Sequence, residues 1–258
     1  MAEEPECYVN KIPAGARRVE TDDFTILFGP VNTQSVTSRI RTTAADLERT
    51  VADVRRTVRE TGCVRNVWQI GPSTRPEGLG RMLLARGFER AGRPPFEAAV
   101  TAMALAKRPA IAPTGVEARL VRDIDEYREA VRIAMTAFNE SPEDAARWYE
   151  AVPSFWAAQD GVDMFTHLAF LDGRPVGMAF AAAARSAVLL GGSGVLPEAR
   201  GKGVYRALIA ARWEEATRNG HEGLIIHAGA MSRPILARCG FERVCDVELF
   251  EDATLRGA

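Results

Sequence analysis

The stretch Val195-Leu196-Pro197-Glu198-Ala199-Arg200-Gly201-Lys202-Gly203-Val204-Tyr205 constrains this chain more than any other. Before it, residues 187–195 are apolar and glycine-containing, the profile of a buried strand. After it, Val204, Ala207, Leu208 and Ala211 recur at helical spacing, and Tyr205, Ile209, Trp213 and Ala216 widen the stripe. A strand must therefore hand over to a helix through a short, basic, glycine-rich turn. Backbone N–H groups and a helix N-terminus then converge on one spot beside Arg200 and Lys202. Such a spot suits a phosphate-bearing ligand.

The remaining punctuation organises the chain around this turn. Residues 1–20 carry little pattern, and 24–28 and 36–41 read as strands. A helix is predicted from Thr43, which can cap it, with Leu47, Val51, Val54 and Val58 on one face and Gly62 at its end. Residues 64–70 form the next strand, 76–86 a helix with Pro76 in its first turn, and 98–105 a closing strand. Residues 107–115 hold two prolines and a glycine with no periodicity, so they mark a boundary between segments 1–110 and 116–258. After it come a strand at 116–121 and helices capped by Asp123 and by Ser141-Pro142. A hairpin turning at Asp172-Gly173 then leads to the strand that enters the opening turn. Strands at 224–228 and 244–250 flank a short helix at 232–239.

The halves repeat one order. Residues 43–105 read helix, strand, proline-containing helix, Gly-Phe, strand, and so do residues 203–250. Ala85-Arg86-Gly87-Phe88-Glu89-Arg90 nearly recurs as Ala237-Arg238-Cys239-Gly240-Phe241-Glu242-Arg243, with one inserted cysteine. Duplication of one α/β unit is the economical account. The first copy, however, has no glycine turn before its long helix.

Composition narrows the chemistry. A chain of 258 residues with 47% apolar and 26% charged side chains is an ordinary globular protein with room for one or two cores. A net charge of −1 gives no global attraction to nucleic acid or an anionic membrane, and no apolar run approaches the roughly 20 residues of a membrane span. The four cysteines and three histidines are scattered without metal-ligand spacing, so reduced thiols and no metal are expected. Met1-Ala2-Glu3-Glu4-Pro5-Glu6 lacks the features of a signal peptide, which points to the cytoplasm. The turn also lacks the Gly-Lys-Ser/Thr ending of a nucleoside-triphosphate loop and the G-x-G-x-x-G of a dinucleotide fold.

Val195-Leu196-Pro197 followed by Arg200-Gly201-Lys202-Gly203-Val204-Tyr205, in the element order above, resembles the GCN5-related N-acetyltransferase (GNAT) superfamily. The resemblance covers residues 116 to about 252, and residues 1–110 look like a degenerate copy of the same fold's later elements. It implies an α/β (α+β) GNAT fold: a mixed, mostly antiparallel sheet flanked by helices, preceded by a partial GNAT-like lobe. It implies transfer of an acetyl group from acetyl-CoA to a primary amine of a small molecule or a protein, by a monomer or homodimer.

By the same resemblance, backbone N–H groups of Arg200, Gly201, Lys202, Gly203, Val204 and Tyr205 would bind the CoA diphosphate. Gly194, Val195 and Leu196 would offer a strand edge to the pantetheine arm, and an N–H near Val195 would polarise the thioester carbonyl. The tyrosine that serves many family members as the acid would fall at Leu236, so the catalytic residues are unknown from sequence. Tyr205, Ser193, Ser232 and His167 are substitutes with little to favour any of them. Acceptor choice would fall to the two helices across 123–156, where Phe138, Trp148, Tyr149, Phe155 and Trp156 cluster. The missing tyrosine keeps open a second reading, a non-catalytic acyl-CoA-binding or sensing module.

Overall fold

A computed structural model describes residues 1–12, 15–29, 34–92, 96–111 and 115–255, so residues 112–114 of the boundary segment lie outside the described residues. The chain runs β1 (Arg17–Glu20), β2 (Thr25–Phe28), β3 (Ser35–Ser38), α1 (Leu47–Glu60), β4 (Asn66–Ile70), α2 (Leu79–Leu84), β5 (Phe88–Arg90) and β6 (Ala99–Leu105). It continues through β7 (Glu117–Leu120), α3 (Ile124–Phe138), α4 (Pro142–Ala158), β8 (Met164–Leu171), β9 (Arg174–Ala184) and β10 (Ala187–Val195). The last elements are α5 (Val204–Arg218), β11 (Gly223–Ala228), α6 (Arg233–Arg238) and β12 (Glu242–Asp252).

Contacts group the chain into two units, and the grouping is not the linear division at residues 110–116. One unit holds Met1–Tyr8, Gly15–Ala102 and Val244–Ala258; the other holds Val9–Ala14 and Met103–Arg243. The C-terminal strand joins the first unit because β12 pairs antiparallel with both β4 and β5. Strand alternation specifies which face of a strand is buried, but it does not specify which neighbour the strand takes.

In the first unit, β1, β2, β3, β4 and β12 lie in that order, and β3 and β4 run parallel through Ser35↔Asn66, Val36↔Val67 and Thr37↔Trp68. The crossover helix α1 buries Leu47, Val51, Val54 and Val58 in a core with Phe28, Trp68 and Phe250. Each such burial contributes about 1.5–3 kcal/mol before the entropy of ordering is charged against it. Asp252, 1% exposed, accepts from Arg55 Nε at 2.7 Å and Nη2 at 3.1 Å, which ties the end of β12 to α1.

Two sequence expectations shift here. Thr43 does not cap α1: its hydroxyl accepts from the Asp46 N–H at 3.1 Å, shaping the turn before a helix whose N-cap is Asp46. Pro76 does not open α2: its carbonyl accepts from Leu79 at 3.2 Å, and Gly78, at φ +74°, separates the proline from the helix. The polar β1 and the three-residue β5 also carried no readable pattern.

In the second unit, β11, β10, β9, β8 and β7 follow in order. β10 and β11 are parallel, and the pairs β10–β9, β9–β8 and β8–β7 are antiparallel. The parallel pair again spans a helical crossover, α5, as β3 and β4 span α1, which is the repeat legible in the sequence. Helices cover both faces. Leu168 and Met178 pack with Ala130, Ile133 and Ala134 of α3, while their neighbours Ala169 and Ala179 pack with Val204 and Leu208 of α5.

The caps were legible in this unit. The Asp123 carboxylate accepts from the N–H groups of Asp125 and Glu126, and Ser141 accepts from Asp144 with Pro142 at the first helical position. Asp172 and Gly173 both take positive φ, at 52° and 74°, as a two-residue hairpin between twisted strands requires.

Candidate functional site

The turn after β10 is built to leave donors free. A 3-10 segment, Pro197–Ala199, uses the N–H groups of Ala199 and Arg200 on Leu196 and Pro197, and Lys202 donates to Ala199 at 3.4 Å. Gly201 and Gly203 then take φ of +79° and +85°, the left-handed region open to glycine. Gly203 is the N-cap of α5 and makes no side-chain cap bond. Among the described residues, no protein acceptor takes the backbone N–H of Gly201, Gly203, Val204, Tyr205 or Arg206. These donors stand at the positive end of a 15-residue helix with no acidic side chain in its first turn.

The side chains of the turn divide their work. Arg200 reaches inward, its Nε to the Val195 carbonyl at 3.3 Å and its Nη2 to the Ala137 carbonyl at 3.4 Å, so it ties the turn to β10 and α3. Lys202 is exposed and makes no ion pair among the described residues, leaving its charge available. Val204, 1% exposed, seats the helix against the sheet: a Cβ on Gly177 would meet its Cγ1 at 2.5 Å. Tyr205 packs its ring into the core and offers the site its backbone alone.

Beside the turn, two strands part. β10 and β11 are paired only at Ala187↔Gly223, Val188↔Leu224 and Leu189↔Ile225. Beyond Leu189, β10 keeps β9 on one side, with an irregularity between Leu190 and Ser193, and among the described residues has no paired strand on the other. The Leu196 N–H donates to Val176 of β9 at 2.9 Å, so strand alternation turns the Val195 N–H toward the opened side. Three glycines allow this shape. Cβ atoms at Gly191 and Gly194 would meet Phe180 at 2.5 Å and Ala137 at 2.9 Å, and one at Gly192 would lie 3.7 Å from the Phe138 ring.

Among the described residues of the first unit, no equivalent turn precedes the long helix. Between β3 and α1 the Asp46 N–H is taken by Thr43, and Asp46 and Glu48 place carboxylates at the start of α1. The Thr43 hydroxyl beside Asp46 lowers its carboxyl pKa, so the charge persists and repels an anion.

The candidate proton carriers fare differently. Leu236 is fully buried among Ile209, Leu224 and Cys239. Ser193 and Ser232 turn their hydroxyls to nearby backbone carbonyls, at 3.5 Å and 3.4 Å. His167 is 2% exposed on the α5 face of β8, edge-on to Phe165, and its Nδ1 has no hydrogen-bond partner among the described residues. Burial, reinforced by the charges of Arg212 and Arg218, pushes its pKa down to about 3. It is neutral and sealed off, so it does not shuttle protons to a cleft.

On the α3 face, Phe138 and Tyr149 remain partly exposed, whereas Phe155 is buried and stacks on Trp148 at 5.2 Å. A cavity of about 230 Å³ lined by Leu120, Trp156, Gln159 and Phe165 lies toward the β7 edge. Its strand residue Phe165 registers with Ala181 of β9, four positions from Gly177, the partner of Val195, so the cavity is not part of the opening. Among the described residues no cluster of His, Cys, Asp and Glu could hold a metal, and no helix is long and apolar enough to cross a membrane.

Comparison with known proteins places the fold among acetyltransferases. Residues 136–256 match the family model of the acetyltransferase (GNAT) domain. The GCN5-related N-acetyltransferase from Kribbella flavida is 18% identical with a TM-score of 0.70, over 98% of this chain and 94% of that one. A GCN5-related N-acetyltransferase from Sphaerobacter thermophilus is 17% identical with a TM-score of 0.62, over 89% and 80%. A tandem GNAT protein from the clavulanic acid biosynthesis pathway is 15% identical with a TM-score of 0.60, over 93% and 83%. Comparison with curated proteins finds no match. With a glycine turn that frees its donors and a strand pair that parts beside it, residues 136–256 form an acetyltransferase (GNAT) domain, and the whole chain shares the fold of these two-lobed proteins.

Proposed function

We propose that the protein is an N-acetyltransferase that moves the acetyl group of acetyl-CoA onto a primary amine, in the first instance that of a small molecule. The observation that carries this reading is the coincidence of two features on one strand end. Among the described residues, the unpartnered N–H groups of Gly201, Gly203, Val204, Tyr205 and Arg206 stand where an anion would be held, and the β10 edge lies open beside them. A diphosphate fits the first feature and an extended amide-bearing arm fits the second. The Val195 N–H would then donate to the thioester oxygen as negative charge develops on it. Segment 116–258 would carry the chemistry, and segment 1–110 would bind no acyl-CoA, because the start of α1 presents Asp46 and Glu48.

Burial of Leu236 favours one other reading, a module that binds acyl-CoA without turnover. Release of free CoA from acetyl-CoA across a panel of primary amines separates the two. Acceptor-dependent release supports transfer, whereas tight CoA binding with no release on any amine supports the binding module.

A further inference from the structure

We propose that His227 is the base that takes the proton from the acceptor ammonium, an assignment that rests on the N-acetyltransferase reading. In sequence His227 was only one of three dispersed histidines; the strand register gives it a place. β11 pairs with β10 as far as Ile225, and His227 is two residues further on, about 7 Å along the wall of the opening.

Alternation fixes its face. Leu224, Ile226 and Ala228 point into the core with Ile209 of α5 and Leu236 of α6. Ile225 and His227 therefore point to the other face, the one α3 covers, where Ala137 closes on Gly194 and the Phe138 ring lies over Gly192. His227 is half-buried, whereas Ile226 and Ala228 beside it are buried. Across the walls of the opening, residues 190–195 and 225–228, it is the one side chain that can accept a proton as a nitrogen base. The partly exposed Phe138 ring on the facing wall offers an aromatic surface to an arriving ammonium.

The step balances without any further group. The neutral imidazole takes one proton from R–NH3⁺, and the freed amine attacks the thioester carbon, forming the C–N bond. The C–S bond breaks as the carbonyl reforms, and the second N–H proton goes to the departing sulfur, giving CoA thiol. His227 then returns its proton to solvent.

The test uses the full chain with His227→Gln and His227→Ala. Each is assayed against a strongly basic alkylamine, protonated at assay pH, and a weakly basic aromatic amine that is already neutral. Loss of a general base should cut kcat/KM on the alkylamine about 10²- to 10⁴-fold. It should cost less than about tenfold on the neutral amine, leave the acetyl-CoA Kd within about twofold, and be partly reversed by added imidazole in His227→Ala. Equal losses on both amines, or no loss, in a wild-type protein that acetylates amines would overturn the assignment alone. A wild-type protein that binds acetyl-CoA and acetylates no amine would overturn the acetyltransferase reading with it.

Discussion

His167 makes a quantitative claim about acid stability. It is 2% exposed, and its pKa is pushed down to about 3 by burial and by the positive field of Arg212 and Arg218. In the unfolded chain the same group titrates near 6.5, so as pH falls below that value the unfolded state gains a proton that the folded state refuses. Stability contributed by a neutral His167 is therefore fully present above about pH 6.5 and is lost toward pH 3, at about 1.4 kcal/mol per unit. Between pH 7.5 and pH 5, where most carboxylates stay ionised, the loss should be about 2 kcal/mol. That is a large share of a typical 5–15 kcal/mol. The assay is urea unfolding at half-unit steps from pH 7.5 to 5 for the wild type and for His167→Gln, which keeps a polar, uncharged side chain. The difference between the two curves should shrink by about 2 kcal/mol over this range, because only the wild type carries the slope. Parallel curves would refute the reasoning and return His167 to the list of groups that can exchange protons with a cleft.

Two further substitutions probe packing at the site. Gly177→Ala places a methyl 2.5 Å from Val204 Cγ1, so it should cost about 1–3 kcal/mol in unfolding experiments and weaken CoA binding by displacing the first turn of α5. Leu236→Tyr restores the family's usual residue at a position with no exposure. It should lower stability by about 1–3 kcal/mol through overpacking without raising kcat, as thermal melts and turnover on an amine would show.

Much of the second unit was legible because its signals are local. Asp123 and Ser141 cap helices through their own neighbours, Asp172 and Gly173 set a hairpin by their φ angles, and Gly201 and Gly203 prepare a turn. The failures are where a local signal met a non-local competitor. Thr43 has the chemistry of a cap, yet Asp46 takes the N-cap position of α1. The strand at 244–250 was plain from alternation, but its pairing with β4 depends on a partner some 180 residues earlier in the chain. His227 was invisible because nothing in a single strand's pattern says where its neighbour stops pairing. The face of His167 was unreadable for the related reason that alternation does not say which helix covers which face.

The central claim is that backbone donors at the start of α5 hold the CoA diphosphate. Calorimetric titration of CoA into wild type, Gly203→Val and Gly220→Val tests it most directly. Both glycines have positive φ, +85° and +79°, at opposite ends of α5, so a valine strains each similarly. Only the one at position 203 stands among the free N–H groups. Losing two charge-assisted hydrogen bonds there is worth about 3 kcal/mol or more, roughly a hundredfold in Kd. The account predicts that weakening for Gly203→Val and a Kd within about twofold of wild type for Gly220→Val. An unchanged Kd for Gly203→Val, or an equal loss in both variants, would contradict it.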